Sequence, residues 1–331
     1  MINHLELDGF KSFVLDNIEF GTLTLLTGLN SCGKSSVIQA LLMLEKMAKQ
    51  QEYLLDGHGD IQELKNPYCQ YMEVTAETTE GCVFKIPLSE PNNNPRDFPK
   101  LIYISADRFG SELFLPIFSG NNFDLGRKGE NIFKCIDENS ELILPESMQH
   151  PFSKGETFGH NVEAWLKLVS PNVKFNYQLQ RLSDSSFATF NGFRAKNVGF
   201  GLSYTLPVIV TLLLASVKPN CMIMIENPEA HLHPRGQTEI AKLIALSAEA
   251  AKEINTQILI ETHSDHLFDA IRIYAKNSKK DFHKLLRVYW FELNNQSNTE
   301  IEKINIDENG RMDNCPQGFF DQFEINARKL L

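Results

Sequence analysis

The sequence predicts an α/β protein, a mostly parallel sheet core interrupted by an inserted α+β lobe, and three observations predict it. A glycine-bearing loop, Gly28-Leu29-Asn30-Ser31-Cys32-Gly33-Lys34-Ser35, stands between an apolar strand and an amphipathic helix. From residue 202 onward apolar strands and helices alternate, as a parallel sheet with crossover helices requires. Between these two regions, residues 51–201 carry short strand candidates separated by turn-rich segments. The expected organisation is one domain over 1–331. Its core segments are 1–50 and 202–331, its lobe is 51–201, and 285–331 completes the core.

The elements follow in order. The first twenty residues alternate in strand fashion through Ile2, Leu5, Leu7, Phe10, Phe13, Ile18 and Phe20. Strand 22–27 leads into the loop, and Val37, Ile38, Leu41, Leu42 and Leu44 then recur at helical spacing to about residue 50. In the lobe, strands are expected at 71–76, 82–88, 101–105, 174–181 and 187–191, with loops at 91–95 and 119–131. The core resumes with an apolar helix at 202–217, a buried strand at 221–226 and a helix at 236–253. A strand at 257–262, a helix at 265–275 and strands at 286–293 and 299–306 close the pattern. No internal repeat or sustained heptad run is present, so no long coiled coil is expected.

Composition narrows the function classes. Hydrophobic content of 42% and charged content of 22% are those of a soluble globular chain. No apolar run is long enough to span a bilayer, and Asp8 and Lys11 interrupt any secretory signal pattern. The six cysteines are scattered and form no Cys-x-x-Cys pair, which points to a reducing compartment and a cytoplasmic location. The formal charge of −10 gives no electrostatic support for direct nucleic-acid binding. The densest cationic stretch (Lys276, Lys279, Lys280, His283, Lys284, Arg287) reads as a solvated helix end and loop.

The loop carries the chemistry. G-x-x-x-x-G-K-S between strand and helix wraps backbone N–H groups around a β-phosphate, and the helix aims its positive end at the same anion. Lys34 adds a cation for the β/γ-phosphates and the Ser35 hydroxyl is suited to Mg²⁺. A nucleotide hydrolase of this kind also needs a buried strand ending in a metal-reaching carboxylate. Met222-Ile223-Met224-Ile225-Glu226 is such a strand. A second, Ile258-Leu259-Ile260, ends in Glu261-Thr262-His263, which places a histidine where it can sense a γ-phosphate. Expected ligands of the metal are therefore Ser35 and Glu226. Arg108, after an apolar strand, either contacts nucleotide or anchors the lobe. Cys32, inside the loop, is either an oxidation target or simply a small residue.

These pieces resemble the ABC-type ATPases of the SMC, RecF and OLD (overcoming lysogenisation defect) kind. Gly9-Phe10-Lys11-Ser12-Phe13 looks like the "NFKSF" element that lies beside the adenine in those heads. Asn30, Ser31, Cys32, Gly33, Lys34, Ser35 and Ser36 fall in a segment similar to their Walker A variant. Val198-Gly199-Phe200-Gly201-Leu202-Ser203-Tyr204 resembles their diverged signature motif, and Glu226 to Pro234 their Walker B and D-loop, with His263 matching the switch histidine. The tail Pro316-Gln317-Gly318-Phe319-Phe320-Asp321 resembles the ending of a bacterial branch with a C-terminal domain of unknown function. The resemblance implies a homodimer that sandwiches ATP and Mg²⁺, with Ser203, at the start of its helix, clamping the partner's γ-phosphate. It also implies a separate effector such as a nuclease, and a place in antiphage defence.

Three departures matter. Asn227 stands where many such heads carry the water-activating glutamate, so either Glu229 or Glu261 acts as general base or hydrolysis is slow. The signature is not the transporter "LSGGQ". The residues after His263 are too few for a Toprim nuclease domain and hold no Asp-x-Asp, so the chain is not expected to cut DNA itself. His231-x-His233 is expected to serve the D-loop rather than a metal.

Overall fold

The computed structural model describes residues 1–87, 94–118, 123–316 and 318–330. Two compact units divide the chain. One comprises Met1–Lys100, Glu261–Asp265 and Arg272–Leu331, the other Leu101–Ile260 and His266–Ile271.

The first unit opens with β1 (Ile2–Asp8) and β2 (Leu15–Glu19), an antiparallel pair whose Leu5, Leu7 and Ile18 are fully buried. β3 (Leu23–Gly28) is buried at every residue, and α1 (Lys34–Ala48) follows the loop. β4 (Glu73–Thr78) and β5 (Val83–Ile86) extend the first pair to a four-stranded antiparallel sheet ordered β2-β1-β4-β5. Helix α1 packs on β4 and β5, and its Val37, Ile38, Leu41 and Leu44 are fully buried.

The second unit runs from β6 (Lys100–Ile104) and β7 (Leu115–Pro116) into two short helices, α2 (Ile132–Asn139) and α3 (Phe158–Leu166). A small antiparallel sheet follows, built from β8 (Phe175–Gln180), β9 (Ser185–Phe190) and β10 (Phe193–Arg194) with β7. α4 (Phe200–Ala215) is apolar on almost every side and buried from Leu206 to Ala215, packed between α3 and α5 (Pro234–Lys252). β11 (Cys221–Glu226) and β12 (Gln257–Glu261) are the buried strands on either side of α5 in sequence, ordered β12-β11-β6, and α6 (Asp265–Asn277) follows.

The chain then completes the first unit. β13 (Leu286–Leu293) pairs parallel with β3, and β14 (Thr299–Ile304) pairs antiparallel with β13. α7 (Gln322–Leu330) ends the described chain.

The buried strands at 221–226 and 286–293 fall where the sequence placed them. Others shift by a residue or two: 71–76 becomes Glu73–Thr78, and 187–191 becomes Ser185–Phe190. The apolar helix begins two residues early, at Phe200, because Gly199 takes the extended N-cap conformation. α2, α3 and α7 were not expected; each has fewer than ten residues, too few for periodicity to stand out from the surrounding turns. Residues 88–93, 119–122, 317 and 331 lie outside the described residues. They include Leu88 of the expected strand 82–88 and parts of both expected loops and of the tail motif. Asn94 is described, and its side chain caps the short turn Pro95–Asp97.

Candidate nucleotide-binding site

The loop after β3 is bent by its own backbone. Gly28 has φ +141°, and a Cβ there would lie 2.1 Å from the Phe291 carbonyl oxygen. Gly33 has φ +99°, and its Cβ would meet Phe13 at 2.7 Å and Thr299 Oγ1 at 2.8 Å. Both positions therefore demand glycine. Ser31 adds a third left-handed residue at φ 62°, so successive peptide units turn into a concave nest. Gly33 is the N-cap of α1, no side chain caps it, and no acidic residue occupies the first turn. The helix thus presents uncapped N–H groups and an unopposed positive end. A cavity of about 260 Å³ opens here, lined by residues 30–36 with Ser12, Glu261 and His263.

Lys34, the cation expected for the β/γ-phosphates, is 3% exposed. Its ammonium donates to the carbonyls of Gly28 at 3.2 Å and Leu29 at 2.5 Å, the nearest acceptors on its own loop. Burial pushes its pKa down, partly offset by the Glu261 carboxylate. Ser35 Oγ donates between the two carboxylate oxygens of Glu261, at 3.1 and 3.0 Å. The carboxylate that meets Ser35 is thus one the sequence proposed as a base, while the metal pairing it suggested was Ser35 with Glu226. His263 bonds the backbone of Gly28; burial, then the nearby Lys34 ammonium, lower its pKa, so the imidazole is neutral at pH 7. Cys32 is 1% exposed and burial raises its thiol pKa, so it is a packed small residue rather than a reactive thiolate.

The Phe10-Lys11-Ser12-Phe13 element differs from the role its resemblance implied. Phe10 is fully buried and offers no ring face to a base. Lys11 is half-buried and donates to Gln39 of α1. Phe13 lies under Gly33, and Ser12 reaches the cavity, so the element supports the loop from beneath.

In the second unit, Glu226 ends β11 and its carboxylate accepts the Ala106 N–H at 2.8 Å. Arg108, 2% exposed, donates to the Glu226 and Asn227 carbonyls, each at 2.7 Å, and to Ser105. Of its two open roles, this geometry is that of an anchor. Burial lowers its pKa to about 10, with Glu229 the largest opposing charge, and it stays cationic. Asn227 holds a left-handed backbone (φ 43°), and Glu229 is buried. The His231 ring packs edge-on at 4.5 Å from Tyr204, and His233 caps α5 by accepting from Arg235 N–H, so each histidine has a structural role.

Ser203 is not at the helix start; it is the fourth residue of α4, one turn in. It is 8% exposed, and its Oγ finds no hydrogen-bond partner among the described residues. Pro207, four residues on, has no N–H to give the Ser203 carbonyl.

Comparison with known proteins agrees with this architecture. An AAA ATPase domain model matches residues 153–268, and a model described as a protein of unknown function (DUF3696) matches 283–330. Comparison with curated proteins gave no match. Among solved structures, an Smc head bound to the C-winged helix domain of ScpA superposes with a TM-score of 0.55. It is 14% identical, over 93% of this chain and 98% of that one. An Smc head with an extended coiled coil, bound to the C-terminal domain of ScpA derived from Pyrococcus furiosus, gives 0.53. It is 11% identical, over 99% of each chain. The fold is that of SMC head domains. Among the described residues, no helix is long and apolar enough to cross a membrane.

Proposed function

We propose that the chain binds Mg²⁺-ATP in the Gly28–Ser36 cavity, hydrolyses it slowly, and uses ATP to join two copies that control a separate effector. The observation that carries the reading is the convergence of Lys34, Ser35, Glu261 and neutral His263 on one cavity at an uncapped helix N-terminus. A backbone nest with a cation and no capping carboxylate fits a polyphosphate. The paired oxygens of Ser35 and Glu261 are the hard donors that Mg²⁺ prefers. Mg²⁺ there would offset phosphate charge. On ATP binding Lys34 exchanges its Gly28 and Leu29 carbonyls for phosphate oxygens, and His263 offers a neutral imidazole to the terminal phosphate.

Proton removal from the attacking water falls to Glu261 or Glu229, since Asn227 cannot accept a proton. Asn227 also supports a second reading, an assembly held by ATP in which turnover is incidental. Low turnover together with tight nucleotide-dependent assembly would favour it.

Association is the part of this reading that the likeness to SMC heads suggests. Ser203 Oγ, without a partner among the described residues, is the group that would meet a second copy's nucleotide. Because Ser203 is buried, the informative change is Ser203→Ala, which keeps the packing of α4; an arginine there would disrupt it. Light scattering should show the mass doubling with a non-hydrolysable ATP analogue, and Ser203→Ala should weaken that step. A monomer mass at saturating analogue contradicts the dimer. Antiphage defence and an effector nuclease remain the context this reading fits. With a formal charge of −10, the chain alone should neither bind DNA tightly at physiological salt nor cut it.

A further inference from the structure

We infer that the C-terminal hairpin, β13–β14, is part of the nucleotide site, and that Thr299 is a positioning residue that sets the phosphate loop through its side-chain hydroxyl. The inference rests on the ATP reading above and assigns a task to a segment whose family model is one of unknown function.

Thr299 begins β14 and is 4% exposed. Its Oγ1 donates to the Cys32 carbonyl in the loop at 3.0 Å and lies 2.7 Å from Ser12 Oγ. A threonine hydroxyl has a single hydrogen. Once that hydrogen goes to Cys32, Ser12 must be the donor in the second bond, so the relay runs Ser12 to Thr299 to Cys32. The Thr299 N–H donates to the Ser12 carbonyl at 2.7 Å and closes the link to β1's turn. Next to it, Asn66 donates to Asn298 at 3.1 Å, a buried pair that ties the same hairpin to the segment after α1. On β13, the Phe291 carbonyl accepts the Leu29 N–H at 3.3 Å, so the hairpin grips the loop at both ends.

The consequence is chemical. A trans peptide is planar, with C=O and N–H on opposite sides. Pinning the Cys32 carbonyl on Thr299 therefore turns the Gly33 N–H to the other side of the loop. That N–H belongs to the nest at the start of α1 that would face phosphate. The hydroxyl sits so near Gly33 that no Cβ fits between them. Without it the Cys32 carbonyl is left buried and unpaired, and the peptide is free to rotate.

The test measures ATP affinity and melting temperature on wild type, Thr299→Val and Thr299→Ser. Valine keeps the shape and removes the hydroxyl. It should weaken MgATP binding roughly 5- to 30-fold, the size of a change of one or two kcal/mol. It should raise KM more than it lowers kcat, and serine should restore tight binding. A folded Thr299→Val chain with wild-type affinity overturns the inference, whatever its melting temperature. If the valine chain fails to fold, Thr299→Ala decides: it also removes the hydroxyl from the Cys32 carbonyl and should weaken binding, and unchanged affinity there is equally contrary. A wild-type chain that binds no ATP overturns the nucleotide reading itself, and this inference with it.

Discussion

Lys34→Ala should abolish detectable ATP hydrolysis, lowering turnover by at least about 10²-fold, while the chain stays folded. Loss of a single preorganised electrostatic group typically costs 10²- to 10³-fold. The ammonium is the cation nearest the loop's carbonyls, and nothing else in the 30–36 segment can supply its charge. Stability should change little. The variant loses two hydrogen bonds to Gly28 and Leu29, of order 1–2 kcal/mol, but also sheds the cost of burying an ammonium. Circular dichroism with a phosphate-release assay separates the two effects. A folded Lys34→Ala chain with wild-type turnover would place the ATP site elsewhere.

Glu261→Gln should bind ATP but turn it over about 10²- to 10⁴-fold more slowly. The substitution keeps shape and an acceptor for Ser35, and removes the negative charge and the capacity to take a proton. A metal-holding role and a base role both require that charge, and they separate on titration with Mg²⁺. If Glu261 mainly holds metal, excess Mg²⁺ recovers part of the rate; if it is the base, it does not. Wild-type turnover in this variant and in Glu229→Gln would leave neither carboxylate as base, and the replacement for the missing glutamate at Asn227 would be wrong.

Much of the fold was legible because its signals are local. Gly28 to Ser35 shows the loop in eight consecutive residues. Strands 221–226 and 286–293 are apolar runs bounded by Asn220 and Asn294, so their ends are marked as well as their type. The site was less legible wherever its geometry joins distant residues. Ser35 meets Glu261 across more than two hundred residues, and no spacing rule pairs them. Thr299 reads as an ordinary strand residue until its hydroxyl is seen on Cys32. Lys34 was assigned to phosphate from the loop spacing and the Phe10 element to the adenine from resemblance; the lysine folds onto its own loop and the phenylalanine belongs to the core. Pattern identifies which residues can take part, whereas burial decides which atoms are presented.

Calorimetric titration of the wild-type chain with MgATP tests the central claim most directly. The account predicts saturable binding of one nucleotide per chain, with an affinity well below about 1 mM, the upper end of ordinary KM values. The same binding should be lost in Lys34→Ala. Absence of binding up to that concentration, or binding that is unchanged in Lys34→Ala, would contradict it.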